Sequence, residues 1–160
     1  MLEILLFRVG EGSYAVRGSE VTALVRAARL TPLPRAPELV AGLLDLRGEL
    51  VPILDLHRRF GHPPRPLQAA DHFVIVQAGS RRIGLWVDRA EDFQSLPEAA
   101  FDASPAKLPR VGYVAGAVKL AQGPVLLSDL AAFLNEAESE ALEAALREAA
   151  DASSDGRGEA

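Results

Sequence analysis

Glycine and proline cut this chain into short apolar runs, and that punctuation narrows the folds open to it. Proline stops a helix and cannot donate to a sheet ladder, whereas short strands joined by turns accommodate both residues. Residues 2–9 (LEILLFRV) and 14–17 (YAVR) read as a β-hairpin turning through Gly10 and Gly12. Val21, Leu24 and Val25 have helical spacing, but β-branched neighbours weaken a helix there, and Pro32, Pro34 and Pro37 end any regular element. LLDLRG and ELVPILDL read as two strands turning at Arg47–Gly48–Glu49, with Pro52 marking an edge or bulged position. The Pro-rich residues 62–71 read as a mobile connection.

FVIV and IGLWVD repeat the hairpin pattern around Gly79 and Ser80, residues 94–112 read as irregular, and YVAGAVKL with PVLLSDL gives a third hairpin. From Ser128 the period changes: Leu130, Phe133, Leu134, Ala137, Ala141 and Ala145 form one helical stripe. Ser128 or Asp129 is the candidate cap and Asn135 a candidate break. The expected architecture is mainly all-β, two small barrels packed together with a C-terminal helix. Residues 1–150 form a single domain in this reading, and the polar residues 151–160 a disordered tail.

The chemistry-bearing residues point away from catalysis. A formal charge of −5 argues against a nucleic-acid binder, and Arg58, Arg59 and Arg65 are expected to face solvent. The absence of cysteine excludes disulfides, thiolate metal sites and a cysteine nucleophile. The N-terminus lacks a basic, signal-like segment, and no stretch approaches the roughly 20 apolar residues that span a bilayer. A cytoplasmic protein without membrane insertion is the expectation. His57, His62 and His72 have no metal-ligand spacing, and the last two are expected to be exposed. Asp45, Asp55 and Asp88 each punctuate a strand, which suits carboxylates accepting backbone N–H groups at turns better than an acid/base dyad. No catalytic residue, metal site or cofactor is expected. Trp86 reads as a rim or interface residue, because Ile83, Leu85 and Val87 already supply one apolar face.

Residues 42–56, GLLDLRGELVPILDL, closely resemble the signature of CheW-like coupling domains, Gly-x-x-Asn-x-Arg-Gly-x-x-x-Pro-x-x-Asp-Leu. Gly42, Arg47, Gly48, Pro52, Asp55 and Leu56 match in place, and YAV, TPLP, IGLWVD and YVAGAV follow the family's order. The resemblance implies two SH3-like five-stranded barrels, no catalytic activity, and a bridge between chemoreceptor tips and the regulatory domain of the histidine kinase CheA. Other CheW-like domains are further implied partners. It also implies an apolar receptor-binding groove between the barrels, lined by Leu5, Val21, Leu24 and Ala90. Asp45, Arg47 and Gly48 would form an inter-barrel turn important for coupling, with Arg47 bracing it by donating to backbone carbonyls.

The chain departs from the family pattern at several positions. Asp45 replaces the usual Asn, Ala23 stands where some relatives are acidic, and Gly18 and Ala90 are often larger aliphatics. A single-partner module of a non-flagellar pathway is the alternative that Ala23 and the acidic Glu136, Glu138, Glu140 and Glu143 suggest.

Overall fold

The computed structural model describes residues 1–103 and 113–158. Two sheets carry the fold. The first has strand order β8-β1-β2-β11-β10-β9, built from β1 (Leu2–Val9), β2 (Gly12–Arg17), β8 (Arg89–Leu96), β9 (Phe101–Asp102), β10 (Val114–Leu120) and β11 (Gly123–Ser128). The second has order β3-β6-β7-β5-β4, from β3 (Val21–Arg26), β4 (Val40–Leu46), β5 (Glu49–Asp55), β6 (His72–Ala78) and β7 (Arg81–Val87). The expected paired β architecture is present, with a sixth, two-residue strand in the first sheet.

Alternation along β1 explains why the sheets stay together. Leu2, Ile4 and Leu6 fill the interior of the first sheet with Ala15, Val118, Val125 and Leu127. Leu5, Phe7 and Val9 point the other way, into a cluster with Leu54, Val74, Val76, Ile83, Leu85 and Val87 of the second sheet. Leu44, Val51, Ile53, Phe73, Ile75 and Trp86 make the second sheet's own interior.

Two strand assignments differ from the sequence reading. β8 runs from Arg89, which the sequence reading assigned to no element, into the first three residues of the stretch 94–112 read as irregular, because its charged and polar residues suit an edge strand rather than an alternating buried one. Residues 104–112 of that stretch lie outside the described residues. Pro52 sits in an interior strand: β5 pairs with both β4 and β7. The ladder to β7 covers only Ile53–Asp55, so Pro52 is just outside it and needs a partner strand on one side alone.

After β11, Asp129 caps a short 3₁₀ turn, Leu130–Ala132, and α2 (Glu136–Gly158) begins anew. Asn135 Oδ1 accepts from Glu138 N at 2.7 Å, and Glu138 Oε1 accepts from Asn135 N at 2.9 Å, a reciprocal capping box. The break at Asn135 shifts the buried stripe, which runs through Leu142 and Ala145, while Ala137 is exposed. Helical backbone continues through residues 151–158, most of the segment read as a disordered tail. Each residue added to an existing helix brings one more backbone bond.

Gly42 is where the edge of the second sheet is closed. Thr31 and Leu43 exchange backbone bonds of 2.8 and 2.7 Å, and a Cβ on Gly42 would stand 2.9 Å from the Thr31 carbonyl oxygen. Gly42→Ala is therefore expected to lower folding stability by about 1–3 kcal/mol, read from the urea midpoint at unchanged slope. Gly48→Ala, with open space around its Cβ position, is the comparison whose cost is backbone strain alone.

Candidate functional site

The seam between the sheets is closed by the chain's own side chains. Leu5 is fully buried there, so it is core and cannot line an open groove as expected. What remains accessible is the rim. Val21 and Leu24 lie on β3, an edge strand of the second sheet, opposite Val76 and Val74 of the shared cluster. Ala90 lies on β8, an edge strand of the first sheet, opposite Phe7. His72 joins the two rims: it pairs with Arg26 at the end of β3, and its Nδ1 accepts from Ala90 N at 3.1 Å. Val21 and Ala90 are half-buried and Leu24 is 42% exposed.

Sequence reasoning missed Phe93. It pairs with Leu5 across β8 and β1, so the two side chains share the seam-facing side, yet Phe93 is 53% exposed. It went unnoticed because RAEDFQSL carries no strand-like alternation of apolar residues. A large aromatic on a strand edge beside buried aliphatics is the kind of residue that anchors an interface.

Asp45, Arg47 and Gly48 occupy the hairpin between β4 and β5. Leu46 pairs with Glu49, leaving Arg47 and Gly48 as a two-residue loop with φ of 53° and 88°. These values fit a type I′ turn, in which glycine suits the second position. Both flanking strands belong to the second sheet, so the expected inter-barrel position is corrected: the turn is a hairpin tip within one sheet. The brace is also different. Asp45 Oδ1 accepts from Gly48 N at 2.8 Å, and Arg47 is exposed with no ion pair or side-chain hydrogen bond among the described residues.

Arg47 does lie near Leu24. Both border an open depression at the end of the second sheet, together with Ala23, Val25, Leu46 and the Glu49–Arg82 ion pair. Two candidates far apart in sequence thus share one surface, apolar on its β3 side and cationic at the hairpin. Ala23 contributes only a methyl group there, leaving the guanidinium without an acidic neighbour on that strand.

A charge network locks the Pro-rich segment. Arg65 makes a two-pronged pair with Asp71 at 2.9 and 2.7 Å and reaches Asp88 at 2.6 Å. Asp71 also accepts from Trp86 Nε1 at 3.0 Å and Gln68 N at 2.8 Å. The buried His57, on α1 (Leu56–Arg59), hydrogen-bonds Asp55 through Nδ1 at 3.0 Å and Asp88 through Nε2. Asp88 further accepts from Gly10 N of the β1–β2 turn at 2.9 Å, tying the sheets together.

The expected role of Asp45, Asp55 and Asp88 holds: each accepts a backbone N–H at a chain turn. Several other readings change. Residues 62–71 are pinned rather than a free connection. Arg65 and Arg59 are partly buried in ion pairs, the latter with Glu138 at 2.6 Å. His62 and His72 are half-buried, His62 Nε2 lying 2.9 Å from the Tyr14 hydroxyl. Trp86 is an interior residue, because its indole N–H finds the buried Asp71 carboxylate.

Burial alone would push the Asp71 and Asp88 carboxyls up. Hydrogen bonds from Arg65 to both, from Gln68 N and Trp86 to Asp71, and from His57 to Asp88 hold them below the usual carboxylate range. Their contribution to stability is therefore present above the ordinary carboxylate range and is lost as pH falls through the lowered folded-state values. Asp71→Asn is expected to cost about 2–4 kcal/mol at neutral pH. Its urea midpoint should fall less than that of the wild type between about pH 5 and pH 3. Equal slopes in that window would remove Asp71 from the account.

The sequence matches the model of the CheW-like domain family over residues 3–138. It is 28% identical to a probable chemotaxis protein CheW of Rhizobium etli, covering 87% of this chain and 91% of that protein. It is 26% identical to the chemotaxis protein CheW of Treponema pallidum, covering 80% and 79%. In fold it is similar to the scaffolding protein TtCheW from Thermoanaerobacter tengcongensis, with a TM-score of 0.78 at 24% identity over 86% of this chain and 94% of that one.

Proposed function

This chain belongs to the CheW-like domain family, and from that premise we propose that it is a non-catalytic adaptor coupling chemoreceptors to a CheA-type histidine kinase in chemosensory signalling. Chemotaxis proteins among its relatives support the pathway. The observation that carries the binding mode is the exposed apolar rim: Leu24 and Phe93 lie on two edge strands bordering one closed seam. A receptor's helical hairpin tip is the partner for that rim, engaged through a few aliphatic and aromatic anchors with Val21 and Ala90 between them.

The kinase regulatory domain, itself a CheW-like module, is the partner for the depression at the β4–β5 hairpin. Arg47 is presented there by its I′ turn with no internal ion pair among the described residues, ready for an acidic or carbonyl acceptor on the partner. The protein works in the cytoplasm, at receptor arrays. No helix among the described residues is long and apolar enough to cross a membrane.

The single-partner alternative loses part of its motive. Glu138 and Glu143 are occupied by Arg59 and Arg81 of the chain itself.

Separate substitutions test the two surfaces. Leu24→Asp, at a residue that also borders the Arg47 depression, is expected to weaken both partners, and Phe93→Ala to weaken binding of a receptor-tip hairpin about tenfold or more by calorimetry with kinase-domain affinity kept. Arg47→Glu should do the reverse. Unchanged receptor affinity in both rim variants, with native circular dichroism, would overturn the rim assignment. Failure of the wild-type protein to bind either partner would overturn the adaptor reading itself.

A further inference from the structure

The attachment of α2 to the second sheet is unlike the rest of the packing. At 100° per residue, Leu142, Ala145 and Ala149 lie on one face of the helix, Glu143 on one flank and Glu148 on the other. Leu142 and Ala145 are its only fully buried side chains among the described residues, and they rest on Leu33 and Leu43. This fully buried footprint is small, with Leu134, Leu146 and Ala149 half-buried around it, and depressions open to solvent flank it. A space of about 330 Å³ opens beside Pro34, Arg35, Ala145, Glu148 and Ala149. Another, of about 300 Å³, lies between the β6–β7 hairpin and the start of the helix, edged by Ile83, Leu134 and Glu143. Side chains lining such depressions face water on one side rather than a packed neighbour.

Charge supplies what packing does not. Glu138 pairs with Arg59 of α1, Glu143 with Arg81 of β7, and Glu148 with Arg35 of the Pro-rich connection at 3.4 Å. The last two pairs are largely exposed, and Arg59 keeps a buried Nε with no acceptor. The helix also carries its own N-cap, since Asn135 and Glu138 satisfy each other's amides. It can therefore leave its seat as a helix. The residues before it stay anchored, because Leu130 and Phe133 belong to the shared cluster.

We propose that α2 is an ionic strap, which runs from the last strand of the first sheet onto the second sheet and undocks as a unit from Asn135 when its three ion pairs are weakened. Undocking bares Leu33 and Leu43 and removes one of the ties between the sheets, while both sheets stay folded. The strap thus sets how firmly the two halves of the binding surface are held together. This inference rests on the packing of α2 and stands apart from the identity of the partners.

The chain has no cysteine, so single thiols report the motion cleanly. Ala145→Cys places one beneath the strap and Ala15→Cys one inside the first sheet, where position 15 is fully buried. Maleimide labelling of Ala145→Cys should exceed that of Ala15→Cys. Its rate should rise about threefold or more between 0.05 and 1 M sodium chloride, as expected for screened ion pairs. The same chain carrying Arg59→Gln should label faster at low salt and respond less to added salt. Hydrogen exchange on the unaltered protein guards against misfolded variants. Amides of residues 140–150 should exchange faster than those of β6, with a gap that widens in salt. Labelling of Ala145→Cys as slow as Ala15→Cys, a salt-independent rate, or helix amides as protected as β6 would each overturn the strap.

Discussion

Leu5, Phe7 and Val9 turn away from the interior of their own sheet and meet Leu54, Val74, Val76, Leu85 and Val87 from the other. Each such side chain contributes roughly 1.5–3 kcal/mol when fully buried, so the cluster outweighs any single ion pair in the molecule. Its position decides what is left for partners. Because the cluster fills the seam, the exposed large apolar side chains among the described residues lie outside it, at Met1, Leu24 of β3, Leu50 of β5 and Phe93 of β8, and those of β3 and β8 are on sheet edges. An adaptor needs this combination: a packed joint between the sheets, with sticky edges on either side of it.

Charge plays a supporting and more local part. Asp88 sits where the chain passes from β7 in the second sheet to β8 in the first, and it receives bonds from Gly10, His57 and Arg65. Three separate segments converge on one carboxylate. Arg65 and Asp71 make this convergence tolerable, since a carboxylate removed from water needs compensating donors. The same arrangement explains why a proline-rich connection with little regular structure is held close to Trp86.

Much of the fold was legible in the sequence, because alternation and turn chemistry are local. The β1–β2, β4–β5, β6–β7 and β10–β11 hairpins follow from apolar runs flanked by glycine, whereas the last helix, read as starting at Ser128 or Asp129 with a possible break at Asn135, starts at that break. The edge strand β8 was not legible, since an exposed strand carries charges and reads as a loop. The candidate site was only partly readable. Leu5 and Leu24 are both aliphatic residues in short strands, and only the packing of the opposite sheet makes one core and the other rim. Arg47 and Leu24 are brought to one depression by barrel closure, which no local pattern encodes. Trp86 was misread because its partner, Asp71, lies in the Pro-rich segment rather than in a neighbouring strand.

Binding of another protein's helices at the rim formed by β3 and β8 is directly measurable. At 17.1 kDa the protein is well suited to ¹⁵N-resolved NMR titration with a receptor-tip hairpin. Shift changes should concentrate at Val21, Leu24, Ala90 and Phe93, leaving β10 and β11 on the far side of the first sheet undisturbed. A map centred on β10 and β11, or no shifts at saturating hairpin, would contradict the account.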